Sequence, residues 1–152
     1  MVVKKGYHCA YEIHYHIVFP VKYRKALLRP EIETEIVKIA GEIGSRYEIE
    51  FEQIGADRDH IHLLCSAHPK HSPGELVRIF KSITARRLFI AFPDLKKELW
   101  GGEFWTDGYY VATVGDRANW ETVAKYVKNQ GKTPEQANLR KFAQLNLFDF
   151  DL

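Results

Sequence analysis

The chain has 152 residues, 45% of them apolar and 28% charged, with a net charge of +2. That length supports one core without disulfides or structural metals, the composition is ordinary for a globular protein, and a bulk charge this small does not announce a nucleic-acid binder, so any basic surface must be local. No apolar run reaches the roughly 18–20 residues that cross a bilayer, and the opening MVVKKGYHCAYE lacks a signal-peptide core. Cys9 and Cys65 both lie in apolar, strand-like runs, so a cytoplasmic protein with reduced thiols and no membrane association is expected.

In chain order, residues 9–20 (CAYEIHYHIVFP) alternate Tyr11, Ile13, Tyr15, Ile17 and Phe19 against Glu12, His14 and His16, the pattern of a half-buried strand. A basic turn, Lys22 to Lys25, follows. Pro30 opens a helix with the apolar stripe Ile32, Ile36, Ile39 and Ile43. Residues 47–56 and 60–67 read as two further strands, joined through the hairpin connection Asp57-Arg58-Asp59. The second helix carries a capping signal, with Ser72 as N-cap, Pro73 at the first position and Glu75 completing a capping box. Its core side is Leu76, Ile79, Phe80 and Ile83, and Pro93 ends it. Residues 103–115 predict a fourth strand bent at Gly108, and a third helix is expected over about 119–130.

Strand, helix, strand, strand, helix, strand is the split βαβ order of a ferredoxin-like sheet. The expected fold class is therefore α+β: an antiparallel sheet with helices on one face, its other face free, and a further C-terminal helix. No repeat, linker or low-complexity segment divides the chain, so residues 1–152 are expected to form one domain with its core at about 7–131. The tail 132–152 has a weak helical pattern and an apolar-acidic end, which predicts packing on a neighbour or partial disorder.

The chemistry concentrates in ADRDHIHLLCSAHP, residues 56–69. Alternation along a strand puts His60 and His62 on one face and Ile61, Leu63 and Cys65 on the other. Two neutral imidazoles so placed can donate to one divalent ion, and they can equally be partly exposed strand histidines. A second pair, His14 and His16, makes a four-histidine zinc site conceivable. On the third helix, Tyr126 and Gln130 are four residues apart and share one edge of the stripe formed by Trp120, Val123, Ala124 and Val127. Tyr126 reads either as a boundary tyrosine with a wet hydroxyl or as a nucleophile beside the histidines.

Taken together, YHIVFPVKYR, DRDHIHLL, FKSITARRLF, LWGGEFWTDGYYVATVG and YVKNQ resemble, in order and spacing, the single-tyrosine HUH transposases of small insertion sequences, the TnpA type of the IS200-like family. The resemblance covers about residues 7–131. It implies that His60 and His62 bind a divalent ion, Mg²⁺ or Mn²⁺, with Gln130 as third ligand. It implies that Tyr126 attacks a DNA phosphate and leaves a 5′-phosphotyrosine and a free 3′-hydroxyl. It gives His14 and His16 no catalytic role. The implied substrate is single-stranded DNA carrying hairpins near the transposon ends, handled by a homodimer whose tyrosine helix can complete the partner's site. Lys22, Arg24, Lys25, Arg78, Lys81, Arg86 and Arg87 are the cations this reading offers to the DNA phosphates. A hairpin-binding protein without catalysis and a zinc-dependent hydrolase using His14, His16, His60 and His62 are the alternatives.

Overall fold

The computed structural model describes residues 3–115 and 117–129. A hairpin of β1 (Lys4–Gly6) and β2 (Cys9–Tyr11) precedes a four-stranded sheet built from β3 (Tyr15–Pro20), β4 (Ile49–Ala56), β5 (His60–Ala67) and β6 (Tyr110–Thr113). The sheet order is β4-β5-β3-β6, and every neighbouring pair is antiparallel. This is the α+β arrangement expected from the element order, with the strand after the first helix brought to one edge.

Helices α1 (Pro30–Tyr47) and α2 (Pro73–Ala91) cover one face. The α1 stripe Ile32, Ile36, Ile39 and Ile43 is fully buried against Ile17 and Phe19 of β3 and Ile61, Leu63 and Cys65 of β5. On α2 the Ser72 Oγ accepts the Glu75 amide at 3.1 Å, as the cap signal required. Phe19, Phe80 and Trp105 form the aromatic centre of this core, and the Trp105 indole N–H is satisfied by Thr84 Oγ1 at 2.9 Å.

Three expectations change. The run 9–20 is not one strand, since Cys9–Tyr11 turns away to pair with β1 and the sheet strand begins at Tyr15. The fourth strand shrinks from 103–115 to Tyr110–Thr113. Trp105 is drawn into the core and makes only an isolated bridge to Val21, while the Lys81 amine donates to the carbonyls of Thr106 and Gly108 at 2.6 and 2.8 Å. Those carbonyls are thus satisfied by a side chain instead of a ladder. The second face of the sheet is not free: α4 (Arg117–Lys128) lies across β4 and β5. A short helix, α3 (Leu95–Glu98), was not anticipated. The tail 132–152 lies outside the described residues.

Candidate active site

Strand β5 carries His60, His62 and Leu64 on the face under α4, because the alternate positions Ile61, Leu63 and Cys65 are claimed by the main core. Both histidines are buried, at 1% and 0% exposure, where an open face was expected. Burial follows from α4, which lays Trp120, Val123 and Ala124 over Leu64 and Val114 as a small cluster separate from the main core.

Each imidazole is fixed from behind. His60 Nδ1 lies 2.8 Å from Asp59 Oδ1, and Asp59 Oδ2 accepts from Arg24 Nη2 at 2.9 Å. Burial alone would raise the Asp59 carboxyl, but the hydrogen bond and charge of His60, with Arg24 beside it, outweigh burial and hold it below the ordinary carboxylate value. His62 Nδ1 lies 3.0 Å from His16 Nε2, with the two rings stacked at 5.2 Å. Burial lowers the His16 imidazole to about 4, so it is neutral near pH 7. With both Nδ1 atoms engaged, the Nε2 atoms are the nitrogens that could hold an ion, as in an oriented metal-binding histidine.

The donor chemistry fits a divalent cation. His60 and His62 have ring centroids 5.1 Å apart, and Asp57, Asp59 and His60 hold donor atoms within 4.8 Å of one another. Asp59 is already committed to Arg24 and His60, so its part is orientation and charge more than ligation. The four histidines do not converge on one site. His16 engages His62 itself, and His14 Nδ1 turns to Glu52 Oε1 at 2.6 Å.

Tyr126 comes to the same place. Its ring stands edge-on to His62 at 5.4 Å and to His16 at 6.2 Å within one chain, with the hydroxyl oxygen buried. A β-bulge between Phe51 and Gln53 helps hold it there. The extra residue, Glu52, is re-aimed toward α4, where its Oε2 accepts the Trp120 indole N–H at 3.1 Å. Gln130 lies outside the described residues.

The cations named from sequence are spread over the molecule. Lys22 pairs with Glu103, and Arg24 with Asp59, beside the histidine strand; Lys25 is exposed on the same turn. Arg78, Lys81, Arg86 and Arg87 ride on α2, on the opposite face of the sheet. Lys81 is engaged with two carbonyls and Arg87 with Glu42, while Arg78 and Arg86 are exposed. Sequence reasoning did not place Asp59, Glu52 or Trp120 in the site, and gave His16 a part only in the four-histidine zinc alternative. Asp59 had a signal, a carboxylate directly before a histidine pair, which a hairpin reading had absorbed.

The sequence matches the family described as "Transposase IS200 like" over residues 9–130. It is 34% identical over 128 residues to the ISDra2 transposase TnpA of Deinococcus radiodurans, covering 84% of this chain and 91% of that one. It is 32% identical over 123 residues to the transposase for insertion sequence element IS200 of Salmonella typhimurium, covering 81% and 80%. Among solved structures, a transposase crystal structure from D. radiodurans R1 superposes with a TM-score of 0.67 at 34% identity, over 84% of this chain and 97% of that one. The REP-associated tyrosine transposase bound to a REP hairpin superposes at 0.56, with 9% identity, over 82% and 70%, a likeness of fold alone.

Proposed function

The chain belongs to the IS200-like transposase family, and from that membership we propose that it cleaves and rejoins single-stranded DNA through a tyrosine nucleophile. The observation that carries the proposal is the position of Tyr126, 5.4 Å from the His62 ring, over the only adjacent histidine pair that a strand presents on one buried face among the described residues.

In this reading Tyr126 Oη bonds to the phosphorus of the scissile phosphate and loses its proton. The bond from phosphorus to the 3′-oxygen breaks, and that oxygen leaves as a hydroxyl. The phosphodiester's energy is kept in the 5′-phosphotyrosine, so a 3′-hydroxyl can later reverse the step and join strands without ATP. A phenol with an ordinary pKa near 10 is a poor nucleophile at pH 7. Mg²⁺ or Mn²⁺ would be held by Nε2 of His60 and His62 with Gln130, and when bound it neutralises charge on the phosphate and on the departing oxygen. His16 and Asp59 would keep the two imidazoles in the tautomer that leaves the Nε2 lone pairs for the ion. A neutral ligand set binds a hard cation weakly, so oxygens of the DNA complete the site.

The proposed substrate is a single strand with a hairpin near the transposon end, and the proposed assembly is a cytoplasmic homodimer. Among the described residues no helix is long and apolar enough to cross a membrane. The test is incubation with hairpin-bearing single strands and Mg²⁺, followed by a denaturing gel. A protein–DNA adduct is expected from the wild type and none from Tyr126→Phe. An adduct that persists in Tyr126→Phe overturns the assignment of the nucleophile.

A further inference from the structure

Two large aromatic rings stand in water at one corner of the molecule. Trp100 is 85% exposed and Tyr23 is 53% exposed. The two are held together, since the Tyr23 hydroxyl donates to the Trp100 carbonyl at 3.1 Å. Lys22 Nζ stands 5.7 Å from the Tyr23 ring centre, and the Trp100 indole, left in solvent, forgoes one of the largest apolar burials a side chain offers.

The backbone beneath Tyr23 is strained as well. Tyr23 and Arg24 are consecutive non-glycine residues with φ of 59° and 52°, in the left-handed region that L side chains avoid. Such conformations persist where the surroundings impose them, often at functional turns. Here the Lys22 amide donates to the Phe104 carbonyl at 2.8 Å, Lys22 Nζ pairs with Glu103 at 2.9 Å, and Arg24 pairs with Asp59. The corner is wired to the histidine strand. The Val21 amide donates to the Asp59 carbonyl at 2.8 Å, and the Arg24–Asp59 pair leads directly to His60 Nδ1.

We propose that Tyr23 and Trp100 form a stacking shelf for unpaired bases of the DNA strand whose phosphate lies at His60 and His62. The proposal rests on the transposase reading and adds to it the residues that hold the strand beside the cut. Charge favours a polyanion over other occupants, because Lys25 and Arg58 are exposed on the turns beside the shelf, while Glu103 is paired with Lys22 and Asp59 with Arg24, leaving Asp107 as a further acid within reach of Lys22. Base–aromatic stacking tolerates any sequence, since every base has a π-face, while the cations follow the backbone.

The test measures binding of the full chain to a hairpin oligonucleotide with single-stranded flanks, with 2-aminopurine placed at successive flank positions. Trp100→Ala is expected to weaken binding about ten-fold and to abolish quenching at one or two adjacent positions, with Trp100→Phe restoring most of both. Tyr23→Gly removes the second ring while relieving the left-handed backbone, so it should weaken binding and yet not lower the melting temperature. The slope of log K against log salt should not move in any of the three, because no phosphate contact is removed. Unchanged affinity and quenching in Trp100→Ala, with wild-type protein still forming its Tyr126 adduct, overturns the shelf alone. Wild-type protein that binds no single strand overturns the shelf together with the reading beneath it. Trp100-dependent binding to anionic phospholipid vesicles and not to DNA overturns it in favour of a membrane surface.

Discussion

Glu52 accepts the indole N–H of Trp120 at 3.1 Å with one carboxylate oxygen and engages His14 with the other, so a bulged residue of β4 fastens the first turns of the tyrosine helix to the sheet. The helix also packs through the small cluster of Leu64, Val114, Ala124, Trp120 and Val123, separate from the main core, through the buried Val127, and through the Tyr126 ring against His62 and His16. Trp120→Phe keeps the ring and deletes the donor, which should cost about 1.5–3 kcal/mol of docking, the range for a hydrogen bond to a charged group. Hydrogen exchange should report it as faster exchange across 120–128 with the amides of α1 and β5 unaffected. Equal slowing or quickening of all three elements would show that α4 unfolds only with the whole.

In the proposed metal site His16 would act through His62, whose Nδ1 lies 3.0 Å from His16 Nε2. A side chain that cannot hydrogen-bond to His62 Nδ1 leaves that ring free to change tautomer and tilt, and loss of such outer partners typically costs about 10–100-fold in metal affinity. His16→Leu should therefore weaken Mn²⁺ binding to the protein–DNA complex by that order while leaving Tyr126 in place. Direct titration by electron paramagnetic resonance reads the affinity without turnover. Wild-type affinity in the variant would assign His16 to packing alone.

Much of this site was legible before any coordinates, and the residues that were legible share a property. The His60/His62 pair follows from strand alternation, and the burial of Ile61, Leu63 and Cys65 confirms its facing. The α1 stripe and the Ser72 cap are local signals and appear as written. What failed depended on long-range competition. The 103–115 strand looked continuous, but Lys81, more than twenty residues upstream, takes the carbonyls of Thr106 and Gly108. The histidines looked solvent-facing because nothing in β5 announces that α4 returns over it. Nothing in the 47–56 run singled out Glu52, which the bulge between Phe51 and Gln53 presents to α4.

The two free thiols differ in burial, Cys9 being half-buried and Cys65 buried. Cys65 sits on the core side of β5, and burial pushes its thiol up to about 12 from the ordinary 9.0. Above pH 9 the unfolded chain loses a proton that the folded chain keeps, so stability falls as pH rises from 9 toward 12. Between pH 8 and 10 the loss should be about 1.4 kcal/mol, and Cys65→Ala should lack that part of it. Urea unfolding of both proteins at the two pH values measures the difference. Parallel pH dependence in the two would place the alkaline loss in other groups.

Two glycines of α1 should respond in opposite directions to the same substitution. At Gly41 an added Cβ meets nothing within 4 Å, so Gly41→Ala gains helix propensity at no steric cost and should stabilise by about 0.5–1 kcal/mol. At Gly44 the Cβ would lie 2.5 Å from the Ile49 carbonyl oxygen, a backbone atom at the start of β4 that cannot swing aside as a side chain would. Gly44→Ala must push the helix end away from the strand, which costs about 1–3 kcal/mol and outweighs the propensity gain. For a chain of this length each kcal/mol moves the melting temperature by about 2–4 °C, so the two variants should melt on opposite sides of the wild type. The order of the two melts tests the packing of α1 against β4, the edge strand whose bulge presents Glu52 to the tyrosine helix.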